Sequence, residues 1–493
     1  MAKVLLIDVE SVSNNVVNIG LASIAARLIS LRHQVRVLDL NNINVAGRRS
    51  ARLHHALDWK PDVVGVSVFP ACEYTYKHAK NTLRQARSEL GDRCLYILGG
   101  IGVTAQPVET AKAFRGLADV LVCGEGEITA GEVINAHVAG AKLEGIPGTI
   151  HYSDGEPVVN RSRPFIRDLD SLPFPNFEVF DSVAEVRREY PMMTSRGCPF
   201  NCIFCLNKTL SQRTFRWRSA RNVVDEIRQA KERYGFRELY IWDDHFSLRR
   251  ERAEEICRLL IEEQANVKYF LPDGIRADSV TPEFARLLKE SGCAGVSVGF
   301  EDANPETFPY IKKGEKYEDI INAIEVLKRA GVPVRASMVI GLPHTTYRST
   351  LIAMENLKKL KIHAEWYLAT PFPGTEFYDW VKEHGRLIED PLSLRALTFR
   401  RVVFDTPDFT RAERYRAFYK GFAHYSFPEY AFYGKVCNPL TQQRNRWEKY
   451  VGSVFTVARY VPERLPGHVV NLAKDLVMAV TRRTIGRLWR KKE

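Results

Sequence analysis

Between residues 1 and 145 the chain alternates short apolar runs with longer stretches of helical periodicity. Lys3 to Ile7 is a Val/Leu/Ile run that ends at Asp8. From Ile19 to Ser30, Leu21, Ile24, Ala25, Leu28 and Ile29 recur at the spacing of a helix with one buried face. Strand-like runs return at Gln34–Asp39, Val63–Phe69, Leu95–Leu98 and Val120–Val122, with room for a helix in each interval. Strands apolar along their whole length are buried on both faces. They predict a parallel sheet covered by helices on each side, a Rossmann-like α/β domain. Such sheets bind ligands beyond the carboxyl ends of their strands. Here those ends run into Ser67-Val68-Phe69-Pro70, Gly99-Gly100-Ile101-Gly102 and Gly124-Glu125-Gly126-Glu127. Glycines let a backbone approach a flat or phosphorylated ligand closely, although any one of these turns alone does no more than reverse the chain.

Residues 186–395 repeat a strand–helix rhythm. Met192-Met193-Thr194 reads as a short strand, and strand-like runs recur at Glu238–Trp242, Val267–Leu271, Gly295–Phe300, Val334–Ile340 and Ala364–Ala369. Helical patterns lie between, as at Val223–Arg233, Ala253–Glu263 and Tyr317–Arg329. Six such units predict a partial (β/α)6 barrel of TIM type, with functional groups at the carboxyl ends of its strands. Those ends carry Trp242-Asp243-Asp244-His245-Phe246, Gly274-Ile275-Arg276-Ala277-Asp278, Gly299-Phe300-Glu301, Ile340-Gly341-Leu342-Pro343 and Thr370-Pro371-Phe372-Pro373-Gly374-Thr375. One Asp of the acidic pair serves equally well as a helix N-cap. Between the two halves, residues 146–185 read as a linker: Pro147, Pro157, Pro164, Pro173 and Pro175 exclude a long helix there. Residues 396–493 are predicted to be mainly helical.

Composition narrows the class. At 493 residues, with 45% hydrophobic and 26% charged, the chain is multi-domain and not disordered. Nine cysteines are too sparse, and odd in number, for a secreted disulfide scaffold. No apolar stretch approaches the roughly 18 residues of a spanning helix, and the start is too short and too acidic for a signal peptide. A cytoplasmic chain is expected. The net charge is +12, and half of it lies in Val451–Glu493, where nine Lys/Arg stand against three Asp/Glu. So modest an excess over the remaining body predicts no nucleic-acid partner.

The most informative stretch is Ser195-Arg196-Gly197-Cys198-Pro199-Phe200-Asn201-Cys202-Ile203-Phe204-Cys205. Its Cys-x3-Cys-x2-Cys spacing is a strong cysteine-ligand signal. A structural zinc needs four ligands in closed geometry, and no fourth stands at finger spacing; the nearest later candidates are His245 and Cys257. Three thiolates suit a [4Fe–4S] cluster with one iron left open. The pattern, with Phe204 before the last cysteine, resembles that of the radical S-adenosylmethionine (SAM) superfamily. That resemblance implies that Cys198, Cys202 and Cys205 hold the cluster and that the open iron chelates SAM, whose cleavage releases a 5′-deoxyadenosyl radical. It implies further that Asp243 and Asp244 meet the SAM amino group, that Glu301 meets the ribose and carboxylate, and that Gly341 belongs to an adenine-binding element, with Ser337 where its first glycine often falls. An external electron donor of the flavodoxin or ferredoxin type is implied as well.

The first domain resembles the cobalamin-binding domain found in front of many radical enzymes, through Gly20-Leu21-Ala22, Pro61-Asp62-Val63-Val64-Gly65 and the Gly-Glu-Gly-Glu element. By that resemblance Ser67, Gly99, Gly100, Gly124 and Glu125 contact the corrinoid. Cobalamin mutases carry Asp-x-His-x-x-Gly after the first strand, whereas here the stretch is Asp8-Val9-Glu10-Ser11-Val12-Ser13. The departure implies cobalt with no histidine lower ligand.

Over residues 1–390 the chain thus resembles the cobalamin-dependent radical SAM enzymes, the class B methylases and their relatives, which implies C-methylation of an unactivated carbon. Three rivals stand beside it: ring closure or skeletal rearrangement, as in anaerobic porphyrin cyclases; RNA methylthiolation, which would need a second cluster from Cys72, Cys94 and Cys123; and a cobalamin-binding sensor without turnover. Buried thiols account more simply for those three cysteines, and Cys257 and Cys293 read as core residues. The aromatic and basic end, from Tyr415 through Tyr433 and on to the amphipathic pattern at Val469–Trp489, favours an apolar or lipid-like small-molecule substrate. It would also suit peripheral contact with an anionic membrane; a helix packed on its own domain explains the same pattern.

Overall fold

The computed structural model describes residues 1–9, 17–41, 49–69, 73–393, 396 and 399–421. The stretch Glu10 to Ser13, Cys72, the aromatic run beyond Phe422 and the basic amphipathic end fall outside the described residues.

The first sheet is built from β1 (Lys3–Asp8), β2 (Gln34–Asp39), β3 (Val63–Ser67), β4 (Leu95–Gly99), β5 (Val120–Val122), β6 (Thr149–Ser153) and β7 (Glu156–Val159), in the order β2-β1-β3-β4-β5-β6-β7. The first five are parallel. Their side chains are buried on both faces, Val4 and Leu6 in one core layer and Leu5 and Ile7 in the other, which is why these strands read as unbroken apolar runs.

β6 and β7 correct the reading of residues 146–185 as a plain linker. They pair antiparallel with β5 and with each other around Asp154-Gly155, both at positive φ. Asp-Gly between alternating residues is a hairpin signal, and the proline count overshadowed it. Farther on, Val37 exchanges backbone hydrogen bonds with Val179 and Asp181 at 2.8 and 3.1 Å. Phe177 packs against Tyr190 and Tyr234, whose hydroxyl accepts from the Phe177 N–H at 3.1 Å. The segment is a seam that sews the first sheet to the second domain.

That domain is a six-stranded, all-parallel sheet: β8 (Glu189–Met192), β11 (Glu238–Ile241), β12 (Tyr269–Leu271), β13 (Cys293–Glu301), β14 (Val334–Ile340) and β15 (His363–Leu368), each paired with the next. It is the expected open barrel. Two short strands, β9 (Ser195–Arg196) and β10 (Arg216–Trp217), pair antiparallel and frame the cysteine loop. The helix Arg411–Gly421 covers β14 and β15. Among the described residues no helix is long and apolar enough to cross a membrane.

Asp8 and Asp39 end neighbouring strands in register. Burial, then the Asp39 charge, pushes the Asp8 carboxyl up to about 8. A carboxyl raised in the folded state stabilises the fold at low pH, and this contribution fades as pH climbs from about 4 to about 8. Asp8→Asn is therefore expected to raise the melting temperature at pH 8 by a few degrees and to leave it nearly unchanged at pH 4.5, as read by calorimetry across that range.

Candidate active site

Cys198, Cys202 and Cys205 stand on one loop between β9 and the helix Asn207–Ser211. The loop is pinned by backbone contacts. Ile203 N donates to Ile311 O at 3.2 Å, Phe377 N to Ile203 O at 3.0 Å, and Cys205 N to Cys202 O at 3.2 Å. Asn207 N donates to the Cys205 sulfur at 3.4 Å. Gly197 adopts φ +83°, and a Cβ there would stand 2.2 Å from Thr214 O, so only glycine fits. Phe200 carries the Arg276 guanidinium 3.6 Å above its ring and meets His245 edge-on. Burial pushes all three thiols up to about 11. A thiolate in such a place needs adjacent positive charge, which bound iron supplies. Among the described residues no group of three or more His, Cys, Asp or Glu is placed to hold a single metal ion.

The acidic pair divides its labour. Asp243 is 1% exposed. Its oxygens accept from Thr194 N at 2.5 Å and from Ser195 Oγ at 2.7 Å, and they also hold the Thr194 hydroxyl. Asp243 thus ties the end of β8 to the entry of the cysteine loop. Asp244 accepts from Gly197 N at 3.1 Å and remains at the barrel mouth, raised by burial.

Glu301 closes β13 at φ +65°, a conformation that costs a non-glycine residue energy and gathers at functional sites. It lies 3.3 Å from Lys313 Nζ, which also faces Glu315 at 3.5 Å. Burial, over the opposing pull of Lys313, raises Glu301. Gly341 lies at the end of β14, but the side on which a Cβ would project is taken by Arg414, whose Nε would be 2.7 Å away; a ligand reaches only its other face.

Four polar groups at this mouth were not assigned roles from the sequence. Lys313 sits in a loop with no periodic signal. His245 follows the acidic pair directly; its Nδ1 is buried without a partner, and burial with Lys313 and Arg276 pushes it down to about 3. Trp242 Nε1 is likewise buried and unpartnered. Asp273, which water reaches although protein surrounds it, is pushed up to about 7 by burial and by Asp244, against Arg335. A bound molecule would have to satisfy these orphaned atoms, and a polar one such as SAM fits them.

Ser67, Gly99, Gly100 and Gly124 fall together along the carboxyl edge of the first sheet. Gly100 has φ +106°, and a Cβ there would meet Val68 O at 2.6 Å. Asn18 Nδ2 bridges Asp8 at 3.1 Å and Ser67 Oγ at 3.5 Å. Among the described residues no atom lies within 4 Å of where a Gly124 side chain would stand. Phe69 and Ile101, on the same edge, are large apolar residues left exposed. An open glycine-lined edge with apolar patches fits a flat macrocycle.

The Glu125 side chain is held by arginines of the second domain. Its carboxylate accepts from Arg196 at 2.7 Å, from Arg216 at 2.8 Å on both oxygens, and from Ile166 N at 2.7 Å. Both carboxylate oxygens are thus engaged by protein donors. Burial alone would raise it, but the two arginines hold it below its ordinary range.

Residues 5–134 match the family model of the B12 binding domain, and residues 192–357 match that of the radical SAM superfamily. The chain is a radical SAM enzyme with a B12-binding domain. It is 28% identical over 374 residues to an uncharacterized methyltransferase of Pyrococcus horikoshii, covering 75% of this chain and 79% of that one. It is 27% identical over 365 residues to the anaerobic magnesium-protoporphyrin IX monomethyl ester cyclase of Rubrivivax gelatinosus, covering 71% of this chain and 62% of the cyclase. With hopanoid C-3 methylase of Methylococcus capsulatus it shares 24% over 384 residues, 75% of this chain and 69% of the methylase. The solved structure of the radical SAM methyltransferase TsrM from Kitasatospora setae, with cobalamin and a [4Fe–4S] cluster bound, aligns at TM-score 0.66 and 20% identity over 77% of this chain and 78% of that one. The cobalamin-dependent radical enzyme OxsB aligns at 0.61 and 19%, over 78% of this chain and 55% of its own. The two-domain fold of this radical SAM enzyme is therefore shared with both.

Replacing any one of Cys198, Cys202 and Cys205 with alanine is expected to abolish the iron–sulfur absorbance of anaerobically reconstituted protein. Gly197→Ala keeps all three thiols yet forces the loop away from Thr214, and it is expected to lose most of the bound iron. Full iron content in Gly197→Ala would contradict the geometry.

Proposed function

We propose that the chain is a cobalamin-dependent radical SAM C-methyltransferase acting on an unactivated carbon of a small molecule. One observation carries the reading. The cysteine loop faces two ligand edges at once: the mouth of the barrel, and the carboxyl edge of the first sheet, whose helix Ile101–Ala105 packs against the helix Asn207–Ser211 that follows Cys205. Groups held at the two edges would share one chamber. Relatives named as methyltransferases support the same reading.

Cys198, Cys202 and Cys205 would hold the cluster; Asp244, Glu301, Lys313 and His245 would surround SAM; Ser67, Gly99, Gly100 and Gly124 would lie against the corrinoid. Together these groups supply, when bound, an electron, a carbon radical and a methyl group. The chain's part is to orient and to exclude water. Tyr240, Trp242 and Phe270 stack inside the barrel, with Tyr240 and Phe270 centroids 4.9 Å apart. On β13 to β15 the residues that alternate with the core face make polar pairs: Ser297 with Ser337 at 3.1 Å, Arg335 with Glu365 at 2.6 Å, and Tyr367 with Glu365 at 2.7 Å. Such a lining favours a substrate that carries polar groups near the reacting carbon, in place of the purely apolar one suggested by the aromatic end. No acid–base residue is needed for the transfer itself.

Ring closure is the second reading, favoured by the cyclase match. Reduced, cofactor-loaded enzyme turning over its substrate is expected to form S-adenosylhomocysteine and 5′-deoxyadenosine together. Formation of 5′-deoxyadenosine alone, quantified by mass spectrometry, would replace methyl transfer with cyclisation or rearrangement.

A further inference from the structure

The Gly-Glu-Gly-Glu element of the first domain does not end in a free acidic turn. Arg196 stands two residues before Cys198 and reaches back into that domain, where its Nη1 donates to Glu125 at 2.7 Å and its Nη2 to Glu127 at 2.6 Å. Arg216 is the register partner of Arg196 on β10 and donates to the same Glu125 at 2.8 Å. It also donates to Ile166 O at 2.8 Å and lies over the Phe165 ring at 4.6 Å. Two carboxylates and two guanidiniums close a neutral set, and none of the four side chains is more than 21% exposed. Gly124, with open space beside it, immediately precedes Glu125, and the first cluster cysteine follows Arg196 by two positions. The set therefore joins the backbone that lines one ligand edge to the backbone that launches the other.

We infer that Glu125, Glu127, Arg196 and Arg216 are positioning residues that fix the separation and orientation of the corrinoid relative to the iron–sulfur cluster. The inference rests on the proposed function, since it presumes that the first domain holds cobalamin. Two features set this contact apart from an ordinary surface ion pair. Arg196 constrains orientation as well as distance, because its two terminal nitrogens engage two different carboxylates, while Arg216 braces Glu125 and Ile166 O through Nη1. The contact also lies where water screens little, so losing one partner leaves a buried charge with nothing to answer it.

The test uses the full chain loaded with cluster and cobalamin and partly reduced, so that cob(II)alamin and the reduced cluster are both paramagnetic. Their spin–spin interaction reports separation and orientation directly. Wild type is expected to show one well-defined interaction. Glu127→Gln removes a single arm and is expected to broaden or shift it while iron and cobalt contents stay at wild-type levels. The double variant E125Q/E127Q is expected to shift it further, and Arg196→Lys to fall between. If the double variant fails to fold, Glu127→Gln with hydrogen exchange across residues 195–216 carries the test, and faster exchange there is expected. Glu290→Gln breaks a half-exposed ion pair with Arg286 within one barrel helix and serves as control. Variants that keep the wild-type interaction and exchange rates overturn the inference and leave the proposed function standing. Wild-type protein that takes up no cobalamin overturns the proposed function and this inference with it.

Discussion

Three residues ahead of the first cluster cysteine are tied down in three different directions, and the geometry of the site follows from those ties. Ser195 is bonded to Asp243 at the end of β11, Arg196 to Glu125 and Glu127 of the first domain, and Gly197 to Asp244 at the barrel mouth. A loop whose metal ligands are held in place beforehand binds the metal more tightly, because a chain that orders only on loading loses that ordering entropy from the binding energy. Removing one partner of such a buried pair costs about 3–5 kcal/mol, so the attachment is strongly specified. The interior bonds of Asp243 belong to the same frame: Arg252, itself buried, donates to Thr194 O at 2.8 Å and carries the anchoring one layer deeper.

The mouth of the barrel concentrates groups that ordinary solution chemistry would keep apart. Burial raises the three thiols, Asp244 and Glu301, while His245 is driven down. Opposite movements of acids and bases in one enclosed space mark a site prepared for bound charge rather than for water. Lys313 answers Glu301 and Glu315, which leaves Asp244 and Asp273 as the carboxylates with most to gain from a cationic ligand. The opposite edge, across the cysteine loop, has another character: glycine backbone, exposed Phe69 and Ile101, and few charges. One chamber with a charged wall and an apolar, glycine-lined wall suits two very different cofactors side by side.

Much of this was legible in the sequence because the elements that matter are strongly periodic. The five parallel strands of the first sheet and five of the six in the barrel fall where apolar runs stand, whereas β8, Glu189–Met192, shares only Met192 with the expected Met192–Thr194; the helix Tyr317–Arg329 has the limits its pattern suggests. The cysteine spacing named the cluster loop. What escaped was contact between distant segments. Nothing in Gly-Glu-Gly-Glu tells whether its carboxylates face a ligand or an arginine seventy residues later, and Asp243 differs from Asp244 only in which face of a strand end it occupies. The hairpin at Asp154-Gly155 carried a local signal, but one read against a background of prolines. Lys313 and Asp273 owe their importance entirely to folding, since neither stands in a motif.

The account's central claim is that one loop of three thiolates and one open sheet edge belong to a single chamber holding an iron–sulfur cluster beside a corrinoid. Anaerobic purification with cobalamin present, followed by iron, sulfide and cobalt analysis of the same sample, tests it most directly. The account predicts four irons, four sulfides and one cobalt per chain. Protein that holds neither cluster nor cobalt, or that carries a single zinc in the cysteine loop instead, would contradict it.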